Sequence, residues 1–350
     1  MDTNIDRVIH NFLQLKTQGA YSLEAFQAFK DFVLYFAKAD QTLSLERIVL
    51  NFFNEKQWTT HAISDVNVFY DFALYIKDQK ELPKYKVALL FICINQPYWE
   101  FAKNVIEDAK KFFLPGHDVD MFLWSDMKEN PGVKQVFEAD PIEWPGPTLY
   151  RYNLMLQQEE LLKKYDYVMY CDIDMRIVNY VGDEILGDGL TAAQHPMYAF
   201  KQALWIPYEP NEKSAAYIPR PGKIIFDSQT GQNKFMPLFY AGGFQGGKTE
   251  PFIKAMKRMI ETIDQDMAMG YTALWNEQAH WNKYLFENPP SVILTPSYIY
   301  PDSLIKEYYE PIWGTNYPPK IITLTKKFSV QRLDAKAVAD IQSMSQLKGV

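Results

Sequence analysis

Two cysteines in 350 residues are too few for a disulfide framework. Cys93 and Cys171 both lie within apolar runs, so two reduced, buried thiols in a reducing compartment are expected. Positive charge is not in excess either. Lys and Arg number 36 against 43 Asp and Glu, a net charge of −7, which argues against a broad nucleic-acid-binding surface while leaving room for a local basic pocket. No apolar run approaches the ~20 residues that span a bilayer. Met1 to Lys16 has no basic segment followed by an apolar stretch, so neither a transmembrane segment nor a signal peptide is expected and the chain reads as cytoplasmic. Apolar and aromatic residues are plentiful: 47% of the chain is hydrophobic and 15% aromatic, with 23 Tyr and 23 Phe, the balance of a packed globular protein. At ~150 residues per domain this length makes one large domain or two modest ones.

The first eighty residues carry helical periodicity. Ile5, Val8, Ile9, Phe12 and Leu15 form one stripe, and Phe26, Phe29, Val33 and Phe36 a second. Leu45, Ile48, Val49, Phe52 and Phe53 form a third, and Val66, Phe69, Tyr70, Ala73, Leu74 and Ile76 a fourth. Ser22 and Ser44 stand where N-terminal caps belong. The reading is a small four-helix bundle over 1–83 with no catalytic composition, either a structural appendage or a docking module.

Beyond Pro83 the pattern changes. Lys86 to Ile94 is an apolar run feeding Asn95-Gln96-Pro97, a strand entering a loop. A helical pattern through Phe101, Val105, Ala109, Phe112 and Phe113 stops at Pro115-Gly116, Asp118 to Trp124 reads as a second strand, Leu154 to Lys164 as a helix and Tyr167 to Cys171 as a third, buried strand. Strands alternating with helices predict an α/β fold with a mostly parallel sheet. Ligands of such sheets bind beyond the carboxyl ends of the strands.

The third strand runs into Asp172-Ile173-Asp174. Carboxylates at i and i+2 of an extended chain project to one side, and a hard divalent ion shared with substrate phosphates relieves their repulsion; such pairs also cap helices. Phe239 to Gly247 holds four glycines among aromatics, which on its own reads as a glycine-rich turn or as backbone that another group approaches closely. It is no G-x-G-x-x-G fingerprint. Leu274 to Tyr284 mixes polar and aromatic residues too densely for an ordinary core helix, although a solvated helix end has similar composition. His280 taken alone reads as a hydrogen-bonded structural histidine.

In this order, the three clusters resemble glycosyltransferase family 6, which holds the blood-group A and B transferases, the α1,3-galactosyltransferase and shorter bacterial relatives. The resemblance, to a bacterial-type member, runs from about Lys86 to Arg332. Its other markers are His195-Pro196, Ala216 to Pro219 and Leu294 to Tyr298. It implies a GT-A, Rossmann-like nucleotide-sugar-binding domain over 84–335, with 336–350 as a C-terminal tail. It also implies retaining transfer of Gal or GalNAc from the UDP-sugar to a hydroxyl of a glycan acceptor of β-galactoside type, in α1,3 linkage. Position by position, Tyr98 falls where the family stacks an aromatic on uracil, and Arg151 where an arginine contacts the donor. Asp172 and Asp174 match the holders of Mn²⁺ (or Mg²⁺) against the diphosphate. Ala241, Gly242 and Gly243 match the segment facing the sugar's C2 substituent, where small residues leave room for an N-acetyl group. Glu277 matches an acid that binds the donor sugar, His195 and Trp275 match acceptor contacts, and Lys326 and Arg332 match the basic pair of a closing tail.

One departure stands out. The family has a second acid beneath the anomeric carbon where this chain has Gln278, and an amide cannot be a carboxylate nucleophile. Three explanations stand: a working amide variant using front-face substitution, an inactivating replacement made to trap a complex, or a one-residue shift that gives Glu277 the role. The alternative to an active enzyme is a UDP-sugar-binding protein that has lost turnover.

Overall fold

The structure, a computed structural model, describes residues 2–17, 21, 23–56, 63–78, 83–196, 208–219, 223–227, 232–236, 239–302 and 319–325. Ser22, Lys326, Arg332 and the tail 336–350 lie outside the described residues. The chain divides into two compact units, the first holding the residues up to Lys84 and the second most of those from Tyr85 on.

The first unit contains α1 (Asp2–Thr17), α2 (Leu23–Phe36), α3 (Leu45–Glu55) and α4 (Ile63–Asp78). Helix α1 packs on α2 and α4, and α3 packs on the same two. The seam between them is rich in phenylalanine: Phe12, Phe29, Phe32, Phe52, Phe53, Phe69 and Phe72 are all buried, beside Ile9, Leu13, Ile48 and Val49, and the Phe29 and Phe69 rings stack at 4.4 Å. The stripes expected from sequence are followed with two exceptions, Leu15 and Leu74, which face solvent because Leu13 and Phe72 take the inward positions. Ser44 caps α3 as expected, its Oγ accepting from the Arg47 N–H.

The second unit begins with β1 (Lys86–Cys93), α5 (Trp99–Phe112), β2 (Asp118–Ser125) and β3 (Gln135–Glu138). Three short helices follow: α6 (Gly146–Leu149), α7 (Arg151–Leu156) and α8 (Glu159–Leu162). The single helix expected over Leu154–Lys164 is thus broken after Leu156. Then come β4 (Tyr167–Cys171), β5 (Met175–Ile177), β6 (Leu190–Gln194), β7 (Lys223–Asp227), β8 (Gln232–Met236) and β9 (Tyr240–Lys248). The described chain closes with α9 (Thr249–Ala268), α10 (Glu277–Glu287), β10 (Val292–Leu294), β11 (Tyr300–Pro301) and β12 (Ile321–Thr323).

The central sheet has seven strands in the order β10-β6-β9-β4-β1-β2-β3. All neighbours are parallel except β9, which runs antiparallel to both β4 and β6. From Val87 on, β1 is buried on both faces, which is why it reads as an unbroken apolar run rather than an alternation. One face, through Ala88, Leu90 and Ile92, joins a core with Met155, Phe252, Met256 and Trp281, and α5 covers the other. This is the mostly parallel α/β architecture, with helices preceding it, that the resemblance implies.

The glycine-rich stretch is not a turn. It is β9, a buried strand inside the sheet. Gly247 explains part of that composition: its φ is +140° and a Cβ there would run into the Gly189 carbonyl and stand 2.7 Å from the Leu190 Cα. The Leu274–Tyr284 cluster is likewise no solvated helix end, since α10 buries Glu277, Ala279, His280, Trp281, Asn282 and Tyr284.

Candidate active site

Parallel strands β1 and β4 deliver their last residues to one end of the sheet, and β9 starts there. The Asp-x-Asp segment lies just past β4 in the turn that leads to β5, so the two carboxylates are not on one side of an extended strand as the spacing suggested. Backbone bonds hold the turn: the Asp172 N–H donates to the Gly243 carbonyl at 2.7 Å, and the Leu324 N–H to the Asp174 carbonyl at 2.9 Å. Asp174 is buried and Asp172 half-buried.

Arg151, the first residue of α7, ties the site together. It is 4% exposed, and its guanidinium lies over the Tyr170 ring at 4.7 Å. Nη1 donates to the Gly242 carbonyl at 3.1 Å and reaches Glu277 Oε1 at 3.2 Å. Nη2 donates to Thr148 Oγ1 at 3.2 Å and reaches Asp172 Oδ1 at 3.4 Å. One cation therefore joins the carboxylate after β4 to the carboxylate opening α10. Burial raises the Glu277 pKa to about 7, Arg151 opposes that shift, and the Asp172 charge adds to it.

The floor is β9. A Cβ on Gly242 would stand 2.8 Å from Glu277 Oε1, and one on Gly243 would collide with Met175 and stand 2.8 Å from Asp172 Oδ2. The space beside Gly243 is thus filled by protein, so its small size serves the approach of Asp172 rather than room for an N-acetyl group. Gln278 Oε1 accepts the Gly242 N–H at 2.8 Å. Glu277 and Gln278 therefore both converge on Gly242, the acid from the Arg151 side and the amide through a backbone bond. Asn282 braces strand and helix, donating to the Tyr240 and Gln278 carbonyls at 2.8 Å each, and Gln245 donates to the Gly242 carbonyl at 2.7 Å.

A cleft opens over this cluster, lined by Tyr98, Trp144, Thr148, Arg151, Asp172 and Asp174 among others. It gathers the expected residues Tyr98, Arg151, Asp172 and Asp174 in one place; Gly242 and Glu277 are joined to it through Arg151, Gly243 through the Asp172 N–H, and Gln278 through the Gly242 N–H. Ala241 is buried in β9. His195 and Trp275 do not line this cleft. His195 follows β6, its N–H donating to the Phe239 carbonyl at 2.9 Å, and burial lowers its pKa to about 4. Trp275 is 42% exposed in the turn before α10. Asn276, next along, has a φ of +50°, a conformation that needs support from its surroundings.

That support comes from residues the sequence did not flag. Buried Glu209 accepts from the Tyr271 hydroxyl at 2.6 Å and the Leu274 N–H at 2.7 Å, fixing the turn that carries Trp275. Buried Asp266 takes the Ser214 hydroxyl and the Ala215 N–H and faces His280 Nε2 at 3.5 Å. His280 Nδ1 lies 3.1 Å from Thr262 Oγ1, the structural histidine expected. Tyr170, whose hydroxyl donates to Asp172 Oδ1 at 2.7 Å, had a usable signal in its place two residues before the Asp pair. A lone Glu209 in a loop had none.

With two strand-end carboxylates, a buried arginine and a second acid at a helix start, the site has the parts for holding a charged donor. A model of glycosyltransferase family 6 matches residues 45–309. The chain belongs to glycosyltransferase family 6. The match starts at α3, upstream of Lys86 where the sequence resemblance began, and so takes in half of the helical unit. Among related proteins, the rat histo-blood group ABO system transferase 1 (Rattus norvegicus) is 28% identical over 241 residues, 66% of this chain and 65% of the rat protein. The human globoside alpha-1,3-N-acetylgalactosaminyltransferase 1 (Homo sapiens) is 28% identical over 216 residues, 59% of this chain and 58% of the human protein. Its chicken counterpart (Gallus gallus) is 30% identical over 219 residues, 59% of each chain. The aligned part thus spans less than two thirds of each of these relatives. No helix among the described residues is long and apolar enough to cross a membrane.

Proposed function

We propose that this family 6 chain is a hexosyltransferase that moves GalNAc or Gal from the UDP-sugar, with retention, to a hydroxyl of a β-galactoside-type acceptor in α1,3 linkage. The observation that carries the reading is the buried Arg151 bridging Asp172 and Glu277 across a glycine floor at the carboxyl ends of β1 and β4. The relatives' names, an ABO system transferase and an alpha-1,3-N-acetylgalactosaminyltransferase, support the reaction class, and the second of them supports GalNAc as the sugar moved.

The residues present fit a divalent cation such as Mn²⁺ or Mg²⁺. No hydrogen bond from a described residue reaches Asp172 Oδ2, and Asp174 adds a second carboxylate on the same turn. No group of three or more His, Cys, Asp or Glu suited to a metal occurs among the described residues, so an ion held by the two aspartates would take its remaining oxygens from a diphosphate and water. When bound, it would neutralise the charge that develops on UDP as the sugar leaves. Arg151 supplies a fixed positive charge that needs no reorganisation, and Tyr98 offers a ring to the base at the cleft's edge. Glu277, ion-paired to Arg151, would hold hydroxyls of the donor sugar. Gln278 offers no nucleophile, so the acceptor attacks from the face the leaving UDP vacates, while the amide oxygen stays on the Gly242 N–H.

The amide favours a second reading, a UDP-sugar-binding protein without turnover. One experiment separates the two: UDP release and product formation from UDP-GalNAc and UDP-Gal with lactose, with Mn²⁺ or chelator, in the native chain and in Gln278→Glu and Asp174→Ala. Transfer lost in Asp174→Ala and in chelator supports the enzyme. UDP binding without turnover, with activity gained only in Gln278→Glu, supports the second reading. Absence of UDP binding sinks both.

A further inference from the structure

We infer that Tyr170 is a positioning residue for Asp172, and that its hydroxyl makes the cleft take a small octahedral cation, Mg²⁺ or Mn²⁺, in preference to Ca²⁺. The inference rests on the proposal that Asp172 and Asp174 hold a divalent ion. It adds to that proposal a residue that is not itself a carboxylate, and a choice between ions.

Tyr170 belongs to β4, is 3% exposed, and contributes both to the main core of the sheet and to the wall of the cleft. A phenylalanine would fill the core part of that position without a polar atom to satisfy. The hydroxyl has to be matched, and Asp172 matches it, Oδ1 accepting at 2.7 Å. Arg151 comes to the same oxygen, with Nη2 at 3.4 Å, while its guanidinium lies over the Tyr170 ring at 4.7 Å. Both contacts thus fall on Oδ1. No hydrogen bond from a described residue reaches Oδ2, which lies beside Gly243, where a Cβ would stand 2.8 Å from it. The Asp172 backbone is fixed as well, its N–H donating to the Gly243 carbonyl at 2.7 Å.

This asymmetry bears on which ion fits. A carboxylate with both oxygens open can clasp one ion with the pair of them. With Oδ1 taken by a phenol O–H and faced by a guanidinium, Asp172 has Oδ2 left to give. Ca²⁺ gathers about 6–8 oxygens at ~2.3–2.6 Å and readily takes both from one carboxylate, whereas Mg²⁺ demands near-octahedral geometry at ~2.0–2.1 Å and is held through few carboxylate oxygens, with water and phosphate supplying the rest. Mn²⁺ shares the octahedral oxygen geometry. Restricting Asp172 to one oxygen therefore handicaps Ca²⁺ more than the smaller ions. Turning the carboxylate to offer both would break its bond from Tyr170, a charge-assisted one. Tyr170→Phe removes that bond and keeps the ring under Arg151.

The test loads the full chain, saturated with UDP, with Mn²⁺. The bound fraction is read by electron paramagnetic resonance while Mg²⁺ or Ca²⁺ is added as competitor. Complexation of the ions by UDP in solution is common to native chain and variant and cancels between them. In the native chain Ca²⁺ should compete at least ~5-fold less well than Mg²⁺. Tyr170→Phe should raise the affinity for Ca²⁺ relative to Mg²⁺ at least ~5-fold. Tyr165→Phe, which removes a hydroxyl bonded to Asp120 instead, should leave the ratio at its native value. A hydroxyl with only a structural role would change the melting temperature and not the ratio. An unchanged ratio in Tyr170→Phe overturns the inference, and the proposal of a metal-holding cleft stands so long as the native chain binds Mn²⁺. A native chain that takes Ca²⁺ as well as Mg²⁺ also overturns it, whether or not the variant folds. A native chain that binds no Mn²⁺ in the presence of UDP overturns both.

Discussion

Replacing Arg151 by alanine should cost more stability at pH 8.5 than at pH 5, because its main partner titrates between them. Glu277 has a folded-state pKa raised from 4.5 to about 7. Between those values the folded protein holds a proton that the unfolded chain has released, so stability falls as pH rises across the window, by about 3 kcal/mol at ~1.36 kcal/mol per unit. At pH 5 Glu277 is neutral, and Arg151→Ala removes only the bonds to the Gly242 carbonyl and Thr148 and the 3.4 Å approach to Asp172, about 2 kcal/mol. The figure is held down because Arg151 Nε is itself buried without a partner among the described residues. At pH 8.5 the variant also strands an ionised, buried carboxylate that had a cation at 3.2 Å, and the cost should rise to about 4 kcal/mol. Urea unfolding followed through the buried Trp124 and Trp281 at both pH values measures it. Crossing Arg151→Ala with Glu277→Gln should give a coupling of at least ~1 kcal/mol at pH 8.5 and almost none at pH 5. A cost that is the same at both pH values, or larger in acid, refutes the reasoning.

Gly243→Ala should push Asp172 or Met175 aside, costing ~1–3 kcal/mol and, if the proposed reaction is right, most of the transferase activity; a melting temperature like that of the native chain would show the strand has slack. His195, with its pKa lowered to about 4 by burial, should stay neutral from pH 5 to 8, so its ring-proton NMR signals should not move over that range. Glu209→Ala should leave the Leu274 N–H and Tyr271 hydroxyl without their acceptor, destabilise the chain by ~2 kcal/mol and speed amide exchange at Leu274. Unchanged exchange would mean the turn holds itself.

The α/β class was legible because β1 and β4 are continuous apolar runs and the helices between strands carry clear periodicity. The order of clusters was enough to suggest the family. What stayed hidden has physical reasons. Glycine has no side chain to show the alternation that marks a strand, so β9 read as a turn. The Asp172–Asp174 spacing suggested an extended chain because nothing in those residues announces that pairing with β9 stops at Asp172. Glu209 and Asp266 act through loop N–H groups brought near from more than fifty residues away, and such pairings have no local signature. Glu277 was found through resemblance, but its raised pKa follows from being walled in by β9 and Arg151, which only three dimensions reveal.

At Gly242 and Gly243, β9 meets the turn after β4 and the acid at the helix start with backbone alone. Lacking side chains at 242 and 243, it offers natural variation nothing to enlarge, trim or recharge at the centre of the site. A change in what the cleft admits has to come from the side chains around it, Tyr98 and Trp144 among them. The middle of the sheet works as a fixed anvil, and what can be reshaped without disturbing it is what stands around it.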